Sequence, residues 1–570
     1  MNVDRLFAPV TGEDLVDRTE IVERLLRNFK NMDRPNAQQY ALIGSRRIGK
    51  TSICREVYNR MLAQPWENMP IPIWIDIGEV VKQAKGDDDR FADLYLATFA
   101  RGYIQHELPN AELPHWEEFS LSQIRDFAIQ MGDSTLQRRV EALMRTKDPV
   151  VNRAAVAMST VARIVKEGGK RFAFIIDEIQ DLERLPYGMN LLYNYRIAFE
   201  SIFCLHIFTG SAARIMTCDV FGYTSPLHGR VTEVLLDPFT PSDDFALIDK
   251  LGREYGQTWD IEAKIALNQL TGGYPFYTTC VLTRLSDEGT GVVHKVEAQE
   301  AFQRELMRGR IHLEFMDRTD PQLKSTGNAT LAVKMLKLIV DREKETTHML
   351  ELQKIDGYDE EVLEKLARAD IIRLNGTMVR MLDPPYKMWL RDFYLPLVWF
   401  ESDLATAESN LRRTMGRLVN DLGRMFESKV WSYLWFFKNK TVDGKFFGYS
   451  EQQIQLPDFY SVVRRLVYRP EYSYVAEPFE VDVHGMYRLN HELNYWFVEC
   501  KYLDTQPALT VLEGMLRKRD LFVAGYPFGK VTLWFCTKLP LSDRLRDFAQ
   551  EHGILFSSET DLEELFAALT

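Results

Sequence analysis

Apolar runs and stretches of 3.6-residue periodicity alternate through the first half of this 570-residue chain. Tyr40-Ala41-Leu42-Ile43, Ile71-Pro72-Ile73-Trp74-Ile75-Asp76-Ile77 and Ile202-Phe203-Cys204-Leu205-His206-Ile207-Phe208 read as strands, and Pro72 stands near the start of its run, where a missing donor is tolerated. The run Arg171-Phe172-Ala173-Phe174-Ile175-Ile176 is continuous and ends in two acids, Asp177 and Glu178, as a buried parallel strand with carboxylates at its C-terminal tip does. Apolar spacing at Ile21, Val22, Leu25 and Leu26 predicts a helix, as does the pattern from Arg90 to about His106 and from Glu117 to Leu143. The Asp87-Asp88-Asp89 run reads as a solvated turn or helix start. Val231 to Leu236 adds a strand, and helices over Ser242–Tyr255 and Ile261–Leu270 lead to the break Thr271-Gly272-Gly273-Tyr274-Pro275, which starts another helix.

The second half has shorter elements. Leu331–Val340, Thr347–Leu352 and Glu360–Ala369 predict three helices, followed by a hairpin within Ile371–Leu382 that turns at Asn375-Gly376, together a winged-helix pattern. Its candidate recognition helix, Asp359 to Arg368, carries more acid than base, whereas major-groove readers use Arg, Lys, Asn and Gln; a structural or docking role fits better. From about residue 405 a helix with Arg412, Arg413, Arg417 and Arg424 runs to Glu427. Strands Phe479–Gly485 and Tyr495–Lys501 flank a turn near Asn490, and a helix from Ala508 to Leu521 and a strand from Lys530 to Cys536 follow, then a helix and a strand. The aromatic run Trp431 to Phe437 reads as core.

Composition narrows the class. At 46% hydrophobic and 27% charged, the chain is globular and long enough for three or four domains. A net charge of -12 leaves any nucleic-acid contact to a local patch. Residues 410–570 carry 20 Lys and Arg against 21 Asp and Glu, with basic clusters at Arg412-Arg413, Arg464-Arg465 and Arg517-Lys518-Arg519, each either a phosphate contact or a solvated face. Cys54, Cys204, Cys218, Cys280, Cys500 and Cys536 form no C-x-x-C and no zinc-finger spacing, as expected in a reducing cytoplasm. The N-terminus lacks a charged lead and apolar core, and no apolar run is long enough to cross a bilayer, so neither export nor a membrane span is expected.

Candidate chemistry begins at Gly44-Ser45-Arg46-Arg47-Ile48-Gly49-Lys50-Thr51-Ser52, a G-x-x-x-x-G-K-[ST] loop between a strand and a helix. Gly44 and Gly49 let backbone N–H groups curl around phosphates, Lys50 reaches the β and γ phosphates, Thr51 can bind Mg2+, and Ser52 opens the helix whose N-terminus faces the anion. Asp177 is placed to hold that Mg2+ and Glu178 to polarise an attacking water. Ser211, in Thr209-Gly210-Ser211, senses phosphate or water, or closes a simple turn. Arg230 is a charge stabiliser for transferred phosphate, or a surface ion-pair residue. Pro275 lies against a nucleotide base, or separates two helices of a lid. His206 reads as a hydrogen-bonded core histidine.

These motifs, in this order over about residues 7–320, resemble the prokaryotic "archaeal ATPase" group of signal-transducing (STAND) ATPases, relatives of AAA+ and origin-recognition ATPases. The resemblance implies an ATP-driven switch, often a homo-oligomer, with the Gly272-Gly273-Tyr274-Pro275 break contacting nucleotide and a winged helix after the lid. One departure is Val16-Asp17-Arg18-Thr19, where such families commonly read Val-Gly-Arg-Glu.

A second constellation lies at the C-terminal end. Alternation along a strand puts Glu499 and Lys501 on one face and Cys500 on the other, and Asp482 joins them if its strand pairs in a hairpin. Two acids on adjacent strands offer Mg2+ hard oxygen ligands, and a lysine beside them can orient water or steady phosphate charge. The order of elements over about residues 405–560 resembles the PD-(D/E)XK restriction-endonuclease-like fold. That resemblance implies Asp482 and Glu499 as metal ligands, Lys501 as catalytic lysine and Glu427 as an auxiliary acid, although the first motif reads Val481-Asp482 in place of Pro-Asp.

The expected architecture is multidomain α/β: a P-loop ATPase core over 1–240 with a parallel sheet, a helical lid over 241–324, a winged-helix module over 325–400 and a restriction-endonuclease-like α/β domain over 401–570. The expected function is an ATP-regulated, Mg2+-dependent nuclease acting on nucleic acid, DNA foremost, through its C-terminal domain, in prokaryotic defence, with a protein trigger or partner. The alternative is a regulatory or scaffold ATPase whose nuclease-like domain binds without cutting.

Overall fold

The computed structural model describes residues 9–34, 36–146, 152–186, 188–199, 203–211, 215–341, 346–381, 383–400, 402–420, 422–450, 452–471, 473–527 and 529–570. The chain divides into two compact units, Met1–Pro238 with Glu314–Leu382, and Phe239–Leu313 with Asp383–Thr570.

In the first unit, strands β1 (Gln39–Ile43), β2 (Ile71–Asp76), β3 (Phe172–Asp177), β4 (Cys204–Gly210) and β5 (Val231–Leu235) form one parallel sheet in the order β2-β3-β4-β1-β5. Every residue of β1, β3 and β4 is buried, which is why these runs show no alternation. Each fully buried Phe or Ile contributes about 1.5–3 kcal/mol to this core. His206 lies in that core as its apolar run predicts, stacked between Phe174 and Phe208 at 4.8 and 5.4 Å, with its Nδ1 3.1 Å from Gln39 Oε1. Burial pushes its pKa down to about 3.

Helical readings hold with local differences. Asp87 caps the helix Asp88–Glu107 by accepting the N–H groups of Asp89 and Arg90, the helix start expected of the acidic run. The periodic stretch from Glu117 to Leu143 divides into Leu121–Met131 and Ser134–Arg145, because Gly132 turns left-handed at φ 69° and Asp133 caps the second helix. Strand β4 runs two residues past Phe208, and the expected first strand residue, Ile202, lies outside the described residues. In the segment after 325, Arg373–Asn375 and Met378–Arg380 pair as the expected hairpin, with Gly376 at φ 58°. A third strand, Thr346–His348, pairs on the other side of Met378–Arg380; it replaces the start of an expected helix and is too short for periodicity to detect.

The second unit holds helices Pro241–Tyr255, Ile261–Thr271 and Pro275–Asp287, and further on α1 (Leu404–Asn420) and α2 (Leu422–Leu434). Its main sheet is mixed: β6 (Ser461–Tyr468), β7 (Phe479–Leu489), β8 (Glu492–Lys501), β9 (Val531–Thr537) and β10 (Leu555–Ser558) lie side by side in chain order. The first three pair antiparallel and the last three parallel. Asn490 and His491, both left-handed, close the β7–β8 hairpin as two-residue turns require. One apolar cluster takes Trp496, Val498 and Cys500 with the aromatics Tyr433 and Phe437, so the aromatic run is core. The opposite face takes Tyr495 and Phe497 with Leu512, Met515 and Phe522 of α3 (Leu509–Gly525).

Candidate functional site

In the first unit, β1 passes at Ile43 into the glycine-bounded loop, which feeds the helix Lys50–Ala63. Gly49 has φ 102°, which only glycine adopts without strain, and a Cβ on Gly44 would stand 2.8 Å from the Leu236 carbonyl oxygen. Lys50 is buried, and its Nζ donates to the carbonyls of Gly44 and Ser45, both at 2.9 Å. Burial lowers its pKa, against the pull of Glu178, Asp370 and Asp177. Ser52 Oγ accepts the Val10 N–H at 3.1 Å, so this hydroxyl braces the N-terminal segment. Asp17 occupies a left-handed φ of 58°, a conformation that glycine adopts without strain.

Asp177 sits at the tip of β3, level with Asp76 on β2. Its carboxylate accepts from Thr209 Oγ1, from the Glu178 N–H at 3.1 Å and from Thr51. Burial, with the neighbouring Glu178 charge, raises its pKa to about 6. Glu178 adopts φ 50°, and its carboxylate accepts from Gln180 Nε2 and from Ser211 Oγ at 3.0 Å. Burial opposes its charge, but Lys50 and these hydrogen bonds outweigh it and hold the carboxyl below its ordinary range. The adjoining Thr51 hydroxyl and Asp177 carboxylate are a hard-oxygen pair that fits Mg2+ beside a phosphate loop.

The segment 314–382 reaches this loop. Glu314, from the helix Arg310–Ser325, accepts from Arg47 Nη2 at 2.7 Å and Nε at 3.0 Å. Asp370, left-handed at φ 58°, faces a group of cations: burial raises its carboxyl, while Arg318, Arg373, Lys50 and Arg46 draw it down. Its Oδ2 has no hydrogen-bond partner among the described residues. Arg368, at the end of the acidic helix Glu360–Arg368, pairs with Glu183 and, at 3.1 Å, with Asp219. Arg230 is exposed at the start of β5, its N–H donating to Leu227 O at 3.1 Å. Pro275 belongs to the second unit, where it opens its helix behind Gly272 and Gly273, both left-handed.

The second unit assembles the acid–lysine group on the face of the sheet that α3 covers. Val483 of β7 pairs with Val498 of β8 at the end of their ladder, and Asp482 and Glu499 are the next residues on each strand. Lys501 Nζ lies 2.7 Å from Glu499 Oε1 and 3.6 Å from Asp482 Oδ2. Asp482 Oδ2 also accepts the Cys500 N–H at 2.8 Å. Burial, then the Glu499 charge, raises the Asp482 pKa against Cys500 N–H and Lys501. Burial works against the Lys501 charge, but Glu499 and Asp482 raise its pKa. Glu427 on α2 holds Arg465 in a two-pronged ion pair at 2.9 and 3.1 Å. Arg465 is left-handed at φ 52°, between the Arg464–Val483 and Leu466–Val481 pairs. Among the described residues no three His, Cys, Asp or Glu gather as a metal cluster; Asp482 and Glu499 offer two carboxylates, hard oxygen donors of the kind Mg2+ takes, which here are engaged by Cys500 N–H, Lys501 and Lys518.

No family model matches the chain, and no curated protein matches it. Among solved structures it is similar to the Walker-type ATPase PABY2304 of Pyrococcus abyssi, at 18% identity over 68% of this chain and 99% of that one, with a TM-score of 0.42. It is also similar to the ORC2 protein of Aeropyrum pernix, at 12% identity over 72% and 98% with a TM-score of 0.41, and to the ORC1 protein of the same organism, at 13% over 72% and 95% with a TM-score of 0.37. At such scores the likeness carries no functional inference. The P-loop assignment rests on the chain's own strand–loop–helix geometry in a parallel sheet.

Four participants escaped the sequence reading. Gln180, Glu314 and Asp370 lie outside any motif: Gln180 reaches back two residues to Glu178, while Glu314 and Asp370 meet their partners through tertiary packing. Lys518 stood out only as part of a basic cluster, yet its Nζ lies 2.6 Å from Glu499 Oε2. Arg517 and Arg519 of that cluster pair with Glu477 and Asp520. Among the described residues no helix is long and apolar enough to cross a membrane.

Proposed function

We propose that this protein is an ATP-regulated, Mg2+-dependent nuclease. ATP is held at Gly44, Gly49, Lys50, Thr51 and Ser52, with Asp177 and Glu178 supporting hydrolysis and Arg230 and Ser211 as accessory groups. The cutting site is Asp482, Glu499 and Lys501, with Glu427 as auxiliary acid, in a C-terminal restriction-endonuclease-like domain over 401–570. The lid over 241–324 and the winged-helix module over 325–400 relay nucleotide state, a homo-oligomer in the cytoplasm is the working form, and DNA of phage or plasmids is the substrate class.

The observation that carries this reading is the juxtaposition of Asp482, Glu499 and Lys501 on adjacent antiparallel strands, in a chain that also carries a complete phosphate loop. A bound Mg2+ supplies an activated water and a Lewis-acid contact to the phosphate. The residues do the rest: Asp482 and Glu499 offer paired oxygens, the Cys500 N–H keeps the Asp482 carboxylate aimed, and Lys501 is placed to steady charge on phosphate or orient the water. In the nucleotide site, the Lys50 charge with Gln180 and Ser211 keeps Glu178 ionised, and the two hydrogen bonds aim it to accept a proton from water.

The test is a cleavage panel of supercoiled, linear and single-stranded DNA and of RNA, with Mg2+, with and without ATP. Wild type is expected to cut in a nucleotide-dependent way, and a Lys501→Ala protein that cuts equally well would falsify the site. The scaffold alternative draws on the double ion pair at Glu499, which is also the form of a structural network. It expects ATP hydrolysis lost in Lys50→Ala but no cleavage with Mg2+ or Mn2+.

A further inference from the structure

Helix α3 packs on the sheet through Leu512, Met515 and Phe522, a stripe at three- and four-residue spacing. Lys518 falls in the same stripe, three residues after Met515 and four before Phe522, where an apolar residue would be expected. Its neighbours Arg517 and Arg519 pair outside the group, with Glu477 and Asp520. Lys518 alone of the three reaches Glu499, with Nζ 2.6 Å from Oε2. Glu499 is therefore ion-paired at both oxygens, Oε1 to Lys501 at 2.7 Å and Oε2 to Lys518. Lys518 is half-buried, and its ammonium lies against Glu499 instead of extending into solvent.

Charge bookkeeping gives the second lysine a use. Asp482, Glu499, Lys501 and Lys518 sum to zero. A divalent cation, a phosphodiester and an attacking hydroxide also sum to zero, so the loaded group stays neutral only if both lysines remain. The cation must take at least one Glu499 oxygen, and the ammonium displaced from it is then beside the incoming phosphate.

Resting on the nuclease reading above, we infer that Lys518 is a second phosphate-binding lysine of the site, which serves as counter-ion to Glu499 until a divalent cation takes that carboxylate and then turns to the scissile phosphodiester. Lys501, the lysine of the D-x(n)-E-x-K pattern, holds the other oxygen of Glu499, whereas Lys518 stands outside that pattern and arrives from the helix that follows the strands.

The experiment uses the full chain as wild type, Lys518→Met and Lys518→Arg, with folding checked by thermal unfolding. Mn2+ binding is followed by titration calorimetry, and cleavage of linear DNA is measured for kcat and KM. Removing the competing ammonium in Lys518→Met is expected to tighten Mn2+ binding several-fold, while cleavage efficiency falls about 10- to 100-fold, as for loss of a charge-assisted phosphate contact. Lys518→Arg is expected to recover most of the cleavage. Unchanged Mn2+ affinity in both variants overturns the inference, as does cleavage by Lys518→Met equal to that of wild type. Wild-type protein that cuts no substrate overturns the nuclease reading instead, and the Mn2+ titration then shows separately whether Lys518 competes for Glu499.

Discussion

Both units set two carboxylates and a lysine at the end of a sheet, and they treat the lysine in opposite ways. Lys50 gives its hydrogen bonds to the carbonyls of its own loop, and Glu178 takes its own from the neutral groups Gln180 and Ser211. Lys501 and Lys518 give theirs to Glu499 directly. A phosphate reaching the first site meets an ammonium bound only to dipoles, which yields it readily. A cation reaching the second must displace an ammonium from a carboxylate. The first arrangement leaves the lysine free to exchange dipoles for an anion, and the second neutralises a carboxylate that a cation would have to win from it.

The largest effects should separate the two sites. Asp482→Ala is expected to lower cleavage about a thousandfold or more while leaving ATP binding unchanged, and Lys50→Ala to weaken ATP binding about a hundredfold while leaving Mn2+ binding at the second site unchanged. Cleavage assays and nucleotide and Mn2+ titrations on the two variants check this; either change crossing into the other site's binding would end the comparison.

A smaller effect concerns Asp370, whose charge acts on Arg318 and Arg373 first and then on Lys50 and Arg46 of the phosphate loop. Asp370→Asn is expected to tighten nucleotide binding about three- to tenfold, by removing a negative charge from the phosphate field. Fluorescent nucleotide titration would show it, and weaker binding by the variant would mean that Asp370 organises the loop.

A last effect is on stability. His206 in the first unit and His484 in the second are held neutral by burial, with pKa values down to about 3 and about 4. As pH falls below about 6.5 the unfolded chain binds a proton at each and the folded chain does not, so each position loses stability by up to about 1.4 kcal/mol per pH unit. Asp177 and Asp181, raised to about 6 by burial and neighbouring acids, act in the opposite sense: their contribution is present at low pH and lost as pH rises through about 6. The difference between His206→Phe and wild type isolates the first effect. In urea melts the variant should gain on wild type from pH 6.5 to 4.5, and a constant offset would show that His206 is not neutral in the fold.

What the sequence determined by itself is what a few consecutive residues decide. Nine residues suffice for the phosphate loop, because its cradle is built from its own backbone N–H groups. The uninterrupted apolar runs of β1, β3 and β4 revealed a buried parallel sheet, and strand alternation put Glu499 and Lys501 on one face and Cys500 on the other. Tertiary structure alone decided which distant charges meet: Glu314 with Arg47, Arg368 with Glu183, and Lys518 on the far oxygen of Glu499. No local period encodes such pairs. A charged side chain reads the same in sequence whether it ends in water or against a carboxylate, and only the packing of α3 on its sheet distinguishes Lys518 from the two arginines beside it.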